Sequence, residues 1–208
     1  MPNNDKKVSD AVIKRLPRYF RIFKLLQDKG RESISSSKIA EYMGVTASQV
    51  RQDFCSFGGF GQQGYGYDVA KMTEEIARIL GLNRHYDMII IGAGNIGSAL
   101  ANYNRFKDEG FEVKALFDLN VTKGNINGLP LFAAAELEEY IAKNNVDIAV
   151  IAVQRINAEE VLNRLSAAGV KNIWNFAPVE LKGTDDIIIE NINMSDSLYV
   201  LSYKLNRK

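Results

Sequence analysis

A single cysteine, Cys55, and a single histidine, His85, are all that 208 residues offer of the two side chains that most often build metal cages and nucleophile–base pairs. One cysteine excludes an intramolecular disulfide and a cysteine-based metal site, so no metal is expected. His85 falls in the polar connection Leu82-Asn83-Arg84-His85-Tyr86 and is expected at the surface. Long apolar runs are missing too: no stretch approaches the ~18 apolar residues of a membrane-spanning helix. The early lysines are not followed by the roughly 7–15 apolar residues of a secretory signal. The expectation is a soluble, cytoplasmic protein with no membrane partner.

What is present is ordinary in amount and uneven in placement. A hydrophobic fraction of 46% suits a globular protein with a real core. The length allows one large domain or two modest ones. Net charge is only +1, yet residues 1–85 hold 14 Lys and Arg against 9 Asp and Glu, while residues 86–208 hold 12 against 16. A basic first part and a mildly acidic second part point to a nucleic-acid partner for the first alone.

The stretch Ile89-Ile90-Ile91-Gly92-Ala93-Gly94-Asn95-Ile96-Gly97 is a strand-like run that enters a G-x-G-x-x-G turn, and a helical pattern follows at once. Gly92 allows the tight turn, Gly94 the approach of a pyrophosphate, and Gly97 close packing of helix on strand. The phosphates would face the amides and positive dipole end of that helix. The helix is expected over 96–108. The next strand ends at Asp118, where a carboxylate is placed to accept from a ribose hydroxyl and to repel a 2′-phosphate. NAD(H) is therefore expected rather than NADP(H). Further strands at 147–153, 173–176 and 187–189 alternate with helices at 135–144 and 158–168. That alternation gives an α/β, Rossmann-type, doubly wound parallel sheet. Ligands bind at the carboxyl ends of such strands, so the candidate pocket is Gly92, Ala93, Gly94, Asn95, Ile96, Gly97, Asp118, Val153, Gln154, Asn175, Phe176, Ala177 and Pro178. A last helical pattern, Met194 to Leu205, is too apolar to stand alone and needs its own domain or a partner subunit to cover it.

Before the glycine turn the syntax is different. Ser9 is expected to cap one helix running to Gly30, kinked at Pro17. A short helix at 39–43 stops at Gly44, and a third begins after Thr46. Thr46 and Gln49 read as a capping box. Helix, short helix, turn, helix is the order of a helix-turn-helix. On the third helix Val50, Phe54 and Phe57 should pack inward, leaving Ser48, Arg51 and Gln52 outside. Arg can pair with guanine and Gln with adenine. The glycine-rich, aromatic stretch Gly58–Tyr67 reads as a hairpin, a wing with Gln62 and Gln63 at its tip. Arg15, Arg18, Thr46, Ser48, Gln49, Arg51, Gln52, Gln62 and Gln63 are the candidate DNA-contacting residues. Cys55 is expected as core filler, since free cysteine is among the most buried residue types; the competing reading is a thiol switch on the DNA face.

Taken together, Arg15-Leu16-Pro17-Arg18-Tyr19, Val50-Arg51-Gln52-Asp53, Gly64-Tyr65-Gly66-Tyr67, the glycine loop through Tyr103, Phe117-Asp118 and Asn175-Phe176-Ala177-Pro178 resemble the Rex family of redox-sensing transcriptional repressors. The likeness covers nearly the whole chain. It implies residues 1–82 as a winged helix-turn-helix domain, 83–193 as an NAD(H)-binding domain, and 194–208 as a helix swapped between subunits of a homodimer. It also implies that NADH releases the repressor from operator DNA. The family's relay would fall on Arg21, Tyr103 and Asn193, with Met194 beside the nicotinamide. Here the chain departs from the pattern, because an aspartate is usual at position 193. Gln52 and Gln63 also stand where many relatives are basic. Outside the resemblance, two other readings stand: an NAD-dependent oxidoreductase, and a protein that binds coenzyme A or another adenine nucleotide. The first lacks a positioned acid or base.

Overall fold

A computed structural model describes residues 9–58, 65–121 and 123–207. It divides into two units, Met1–Arg84 and His85–Lys208. In the first, α1 (Asp10–Ile13) and α2 (Leu16–Asp28) replace the single helix expected from Ser9 to Gly30. Pro17 is the reason. It has no N–H to donate, and it sits in the first turn of α2, where none is needed. Proline here starts a helix instead of kinking one.

α2 buries Leu16, Tyr19, Phe23 and Leu26, a spacing of three and four that makes one face. Around that face pack α3 (Ser36–Met43), α4 (Ala47–Cys55) and α5 (Val69–Ile79). Gly44 closes α3 in the left-handed conformation, and Thr46 opens α4 by accepting from the Gln49 amide at 3.1 Å. Two short strands, β1 (Ser33–Ile34) and β2 (Tyr67–Asp68), pair antiparallel. β1 has no counterpart among the elements expected from the sequence. Of the expected wing, Gln62 and Gln63 lie outside the described residues.

The second unit is a seven-stranded sheet of order β5-β6-β4-β3-β7-β8-β9. Its strands are β3 (Tyr86–Ile91), β4 (Phe111–Asp118), β5 (Lys123–Ile126), β6 (Leu129–Ala133), β7 (Ile148–Ile151), β8 (Asn172–Asn175) and β9 (Ile188–Asn191). All pairings are parallel except β5 with β6, an edge hairpin turned by Asn127 and Gly128, both at positive φ. The helix expected over 96–108 is two, α6 (Asn95–Ala101) and α7 (Arg105–Asp108). Asn102, Tyr103 and Asn104 break it. All three have modest helix propensity, and the Asn102 amide oxygen accepts from Asn127 of the hairpin.

Side chains alternate across the strands, so the sheet has two apolar faces. Ile89, Ile91, Phe117 and Ile151 pack beneath α8 (Leu137–Lys143) and α9 (Ala158–Ala167). Ile90, Leu116 and Val150 face the other way, with Leu100 of α6 packed on them. The last helix, α10 (Asp196–Leu205), buries none of its residues; Leu198, Tyr199, Leu201, Tyr203 and Leu205 are each more than half exposed.

Candidate functional site

The glycine loop is built by steric exclusion. Gly92 ends β3 at φ +102°, and a Cβ there would lie 2.5 Å from the Ala152 carbonyl oxygen. A Cβ on Gly97 would lie 1.8 Å from the Gly92 carbonyl oxygen, so α6 can approach the end of β3 only with glycine at 97, while glycine at 92 makes room for the chain that leaves β7. Gly94 differs from both: nothing lies within 4 Å of its would-be Cβ. The first two glycines serve packing; the third keeps a cradle open at the surface.

Asp118 holds this loop from the neighbouring strand. Its Oδ2 accepts from the Ala93 amide at 2.8 Å, and its Oδ1 accepts from the Asn120 amide at 3.0 Å. Each carboxylate oxygen keeps a lone pair for a further donor, as a ribose hydroxyl would require. The Ser98 hydroxyl donates to the Ala93 carbonyl at 2.8 Å and ties the loop to α6. From Asp118 the carboxyl ends of β4, β3, β7 and β8 follow in order. Three strand spacings of about 4.8 Å, roughly 14 Å in all, suit an extended two-nucleotide ligand laid across the strand ends. An adenine dinucleotide therefore fits: open backbone for the pyrophosphate in the middle, an acid at one end.

At the other end the expected residues divide. Val153 and Phe176 are half-buried, and Gln154 and Pro178 are exposed. Asn175 and Ala177 are buried, which differs from the expectation that they face a ligand. The Asn175 carboxamide is spent inside the protein, on Val179, Asn191 and the Ala177 amide. Tyr103 is half exposed and starts an aromatic run that sequence reasoning missed: ring centroids are 4.7 Å apart for Tyr103–Phe106, 5.6 Å for Phe106–Trp174 and 4.6 Å for Trp174–Phe176. Phe106 and Trp174 come from elements distant in sequence, so no local pattern reveals them. Asn193 caps the chain's approach to α10, its Oδ1 accepting from the Ser195 amide at 3.0 Å. Met194 beside it is exposed, and Arg21 is an exposed residue of α2 in the first unit.

In the first unit the outward row of α4 is Ser48, Arg51, Gln52 and Cys55, all exposed, with Thr46 exposed at its cap. Arg51 is braced for use, its guanidinium donating to Ser36 Oγ and Ser48 Oγ, both at 3.0 Å. Cys55 is exposed, not core filler, because Val50 and Phe54 take the inward positions of the helix. Two other expectations are corrected by one residue, Asp53. Its carboxylate is fully buried and accepts from Arg15 Nε and Nη2 at 2.7 Å each, and from Tyr19 and Gln49 at 2.8 Å each. Arg15 is thus committed to an internal bidentate ion pair. Gln49 points at Asp53, so the capping box with Thr46 is one-sided. Arg18 donates to the Tyr42 carbonyl at 2.8 Å. Burial and the bond to Asp53 both push the Tyr19 hydroxyl up, so it stays protonated and donates.

Among the described residues no buried side-chain nitrogen or oxygen lacks a partner, and no three His, Cys, Asp or Glu side chains gather as a metal site.

Residues 7–55 match the family described as "Putative DNA-binding protein N-terminus", and residues 83–179 match the "CoA binding domain" family. Relatives extend over both. The redox-sensing transcriptional repressor Rex of Caldanaerobacter subterraneus subsp. tengcongensis is 49% identical over 203 residues, 97% of this chain and 91% of that protein. The protein of the same name from Clostridioides difficile (strain 630) is 47% identical, covering 96% of each. Among solved structures, RSP in complex with beta-NAD+ and operator DNA superposes with a TM-score of 0.91 at 47% identity, over 98% of this chain and 94% of that one. RSP in complex with beta-NADH gives 0.89 at 44% identity, over 98% and 96%.

Proposed function

This chain belongs to the Rex family of redox-sensing transcriptional repressors, and from that premise we propose that it binds operator DNA through α3 and α4, holds NAD(H) at the glycine loop, and leaves DNA when NADH is bound. The observation that carries this reading is the 49% identity over 203 residues, 97% of this chain, which spans both units. Family members are repressors, so the glycine loop serves sensing here and the oxidoreductase reading falls away. The likeness to coenzyme A-binding domains describes one unit and leaves the helix-turn-helix unexplained.

Sensing must come from contacts that differ between the two oxidation states, because a ligand indifferent to two conformations shifts neither. The glycine loop and Asp118 meet the half of the cofactor common to both forms. Discrimination therefore falls to the nicotinamide end, to Tyr103, Phe176 and Met194. Asn193 supplies no negative charge to Arg21; its side-chain oxygen accepts from the Ser195 amide and keeps one lone pair for a neutral hydrogen bond. The latch is then an uncharged one, and packing against the nicotinamide carries the signal. The exposed face of α10 is the surface through which we assign a homodimer, with this helix exchanged between subunits. Among the described residues no helix is long and apolar enough to cross a membrane; we assign the protein to the cytoplasm, with operator DNA and without a metal.

Operator binding titrated with NADH and with NAD+ separately tests the whole reading. NADH should weaken binding at least ~10-fold, equivalent to ~1.4 kcal/mol of coupling, and NAD+ should not. Equal effects of the two would overturn it.

A further inference from the structure

β8 and β9 run side by side and both end on an asparagine, with Asn175 opposite Asn191 in the register. No helix joins them; residues 176–187 form an irregular connection. Two carboxamides organise its first half. Asn175 Nδ2 donates to Asn191 Oδ1 and to the Val179 carbonyl, both at 2.8 Å, and Asn175 Oδ1 accepts from the Ala177 amide at 3.0 Å. Asn191 exchanges two hydrogen bonds with the backbone of Leu181: its Oδ1 accepts from that amide and its Nδ2 donates to that carbonyl, both at 3.0 Å. Asn191 thus binds the loop as a neighbouring strand would, at a point where no strand exists.

The bonds have a direction in the chain. On one side they fix the loop that begins with Phe176. On the other, Asn191 lies two residues before Asn193, which receives the amides of Ser195 and Asp196 and so starts α10. Burying a carboxamide is costly unless every polar atom is satisfied. Here Asn175 is 1% exposed and satisfied. Asn191 beside it is half-buried, and a satisfied polar network of this kind is rigid, because shifting one member leaves the others unpaired.

We propose that Asn175 and Asn191 are positioning residues of the redox sensor: they hold Phe176 against the nicotinamide and carry its displacement to the root of α10. This rests on the NAD(H)-sensing reading above. The pair sits at the ends of β8 and β9, on the far side of β7 from the glycine loop and Asp118, so it should set discrimination and leave overall grip alone.

The test compares the full-length protein with Asn191→Ala and the milder Asn191→Ser, measuring NADH affinity, NAD+ affinity and operator release separately. The expected result is ligand-free operator affinity within about twofold, NAD+ affinity within about threefold, and an NADH-driven release reduced at least ~10-fold. A merely structural role would lower both cofactor affinities together. Release within about twofold of the unmodified protein overturns the proposal. Absence of any NADH response in the unmodified protein overturns the sensing reading, and the proposal with it. Hydrogen exchange on the unmodified protein gives a second measure that needs no variant. NADH should alter protection of the Leu181 and Ser195 amides together. A change at Leu181 without one at Ser195 overturns the coupling even if both variants unfold.

Discussion

Replacing Asp53 by Asn removes one charge and keeps the shape of the side chain that orients the recognition helix. Four donors converge on the Asp53 carboxylate: two from Arg15, one from Tyr19 and one from Gln49. An asparagine keeps one acceptor oxygen, which can hold two of the four bonds, and turns an NH2 group toward the other two donors, so half of the bonds are lost along with the charge. Breaking a buried ion pair by removing one partner costs about 3–5 kcal/mol, and we expect Asp53→Asn to lie near ~3. For a unit of this size each kcal/mol moves the melting temperature by about 4–8 °C, so the first unit should melt at least ~12 °C lower. The effect has a pH signature. Burial alone would push the Asp53 carboxyl up, but bonds from Arg15, Gln49 and Tyr19 and the charge of Arg15 outweigh it and hold it below its ordinary 3.8. A depressed carboxyl contributes stability that is present above its unfolded value and is lost as pH falls through the folded one. The gap between native protein and variant should therefore be constant above about pH 5 and close below about pH 4. Calorimetric melts at several pH values measure this, with Arg15→Ala and the double variant completing a cycle whose coupling should reach ~2 kcal/mol. A variant melting within about 1 °C of the native protein would refute the argument.

Other outcomes follow from the site. Gly97→Ala should cost about 1–3 kcal/mol and abolish NAD(H) binding, because its methyl meets the Gly92 carbonyl oxygen. Gly94→Ala should leave stability within about 0.5 kcal/mol and still weaken NAD(H) at least ~10-fold, since its methyl enters only the cradle; melts and cofactor titrations on the pair separate the two roles. Site selection with the native protein should enrich adenine opposite Gln52, and Gln52→Lys should turn that preference to guanine; a native pool that already keeps guanine would contradict this. Cys55→Ser should keep its NADH response with or without reductant, and loss of the response would reinstate a thiol switch.

Local features of the sequence translated well. The glycine turn, Asp118 at the end of β4 and the cap at Thr46 each depend on residues within a few positions of one another. What stayed hidden was long-range. Nothing near Arg15 shows that its partner is 38 residues away, and nothing near Asn175 shows Asn191. Gln49 illustrates the conflict: its spacing from Thr46 suits a capping box, in which its Oε1 would accept from the Thr46 amide, yet the side chain instead reaches one turn ahead and its Nε2 donates to the buried Asp53 carboxylate. At Cys55 the place on α4 beside Arg51 and Gln52 outweighs the general tendency of free cysteine to be buried. Proline breaks a helix from within, but Pro17 lies in the first turn of α2 and so starts one.

α4 keeps its two duties on opposite sides of nine residues. Asp53, Val50 and Phe54 anchor it from within, while Ser48, Gln52 and Cys55 face outward with no part in the core. On the proposed reading, in which that outer row meets operator bases, a single codon change there should alter which promoters are bound and leave the melting point and the sensor unchanged. Lineages carrying this helix can therefore rewire which genes answer to redox state without passing through an ancestor that is unfolded or deaf.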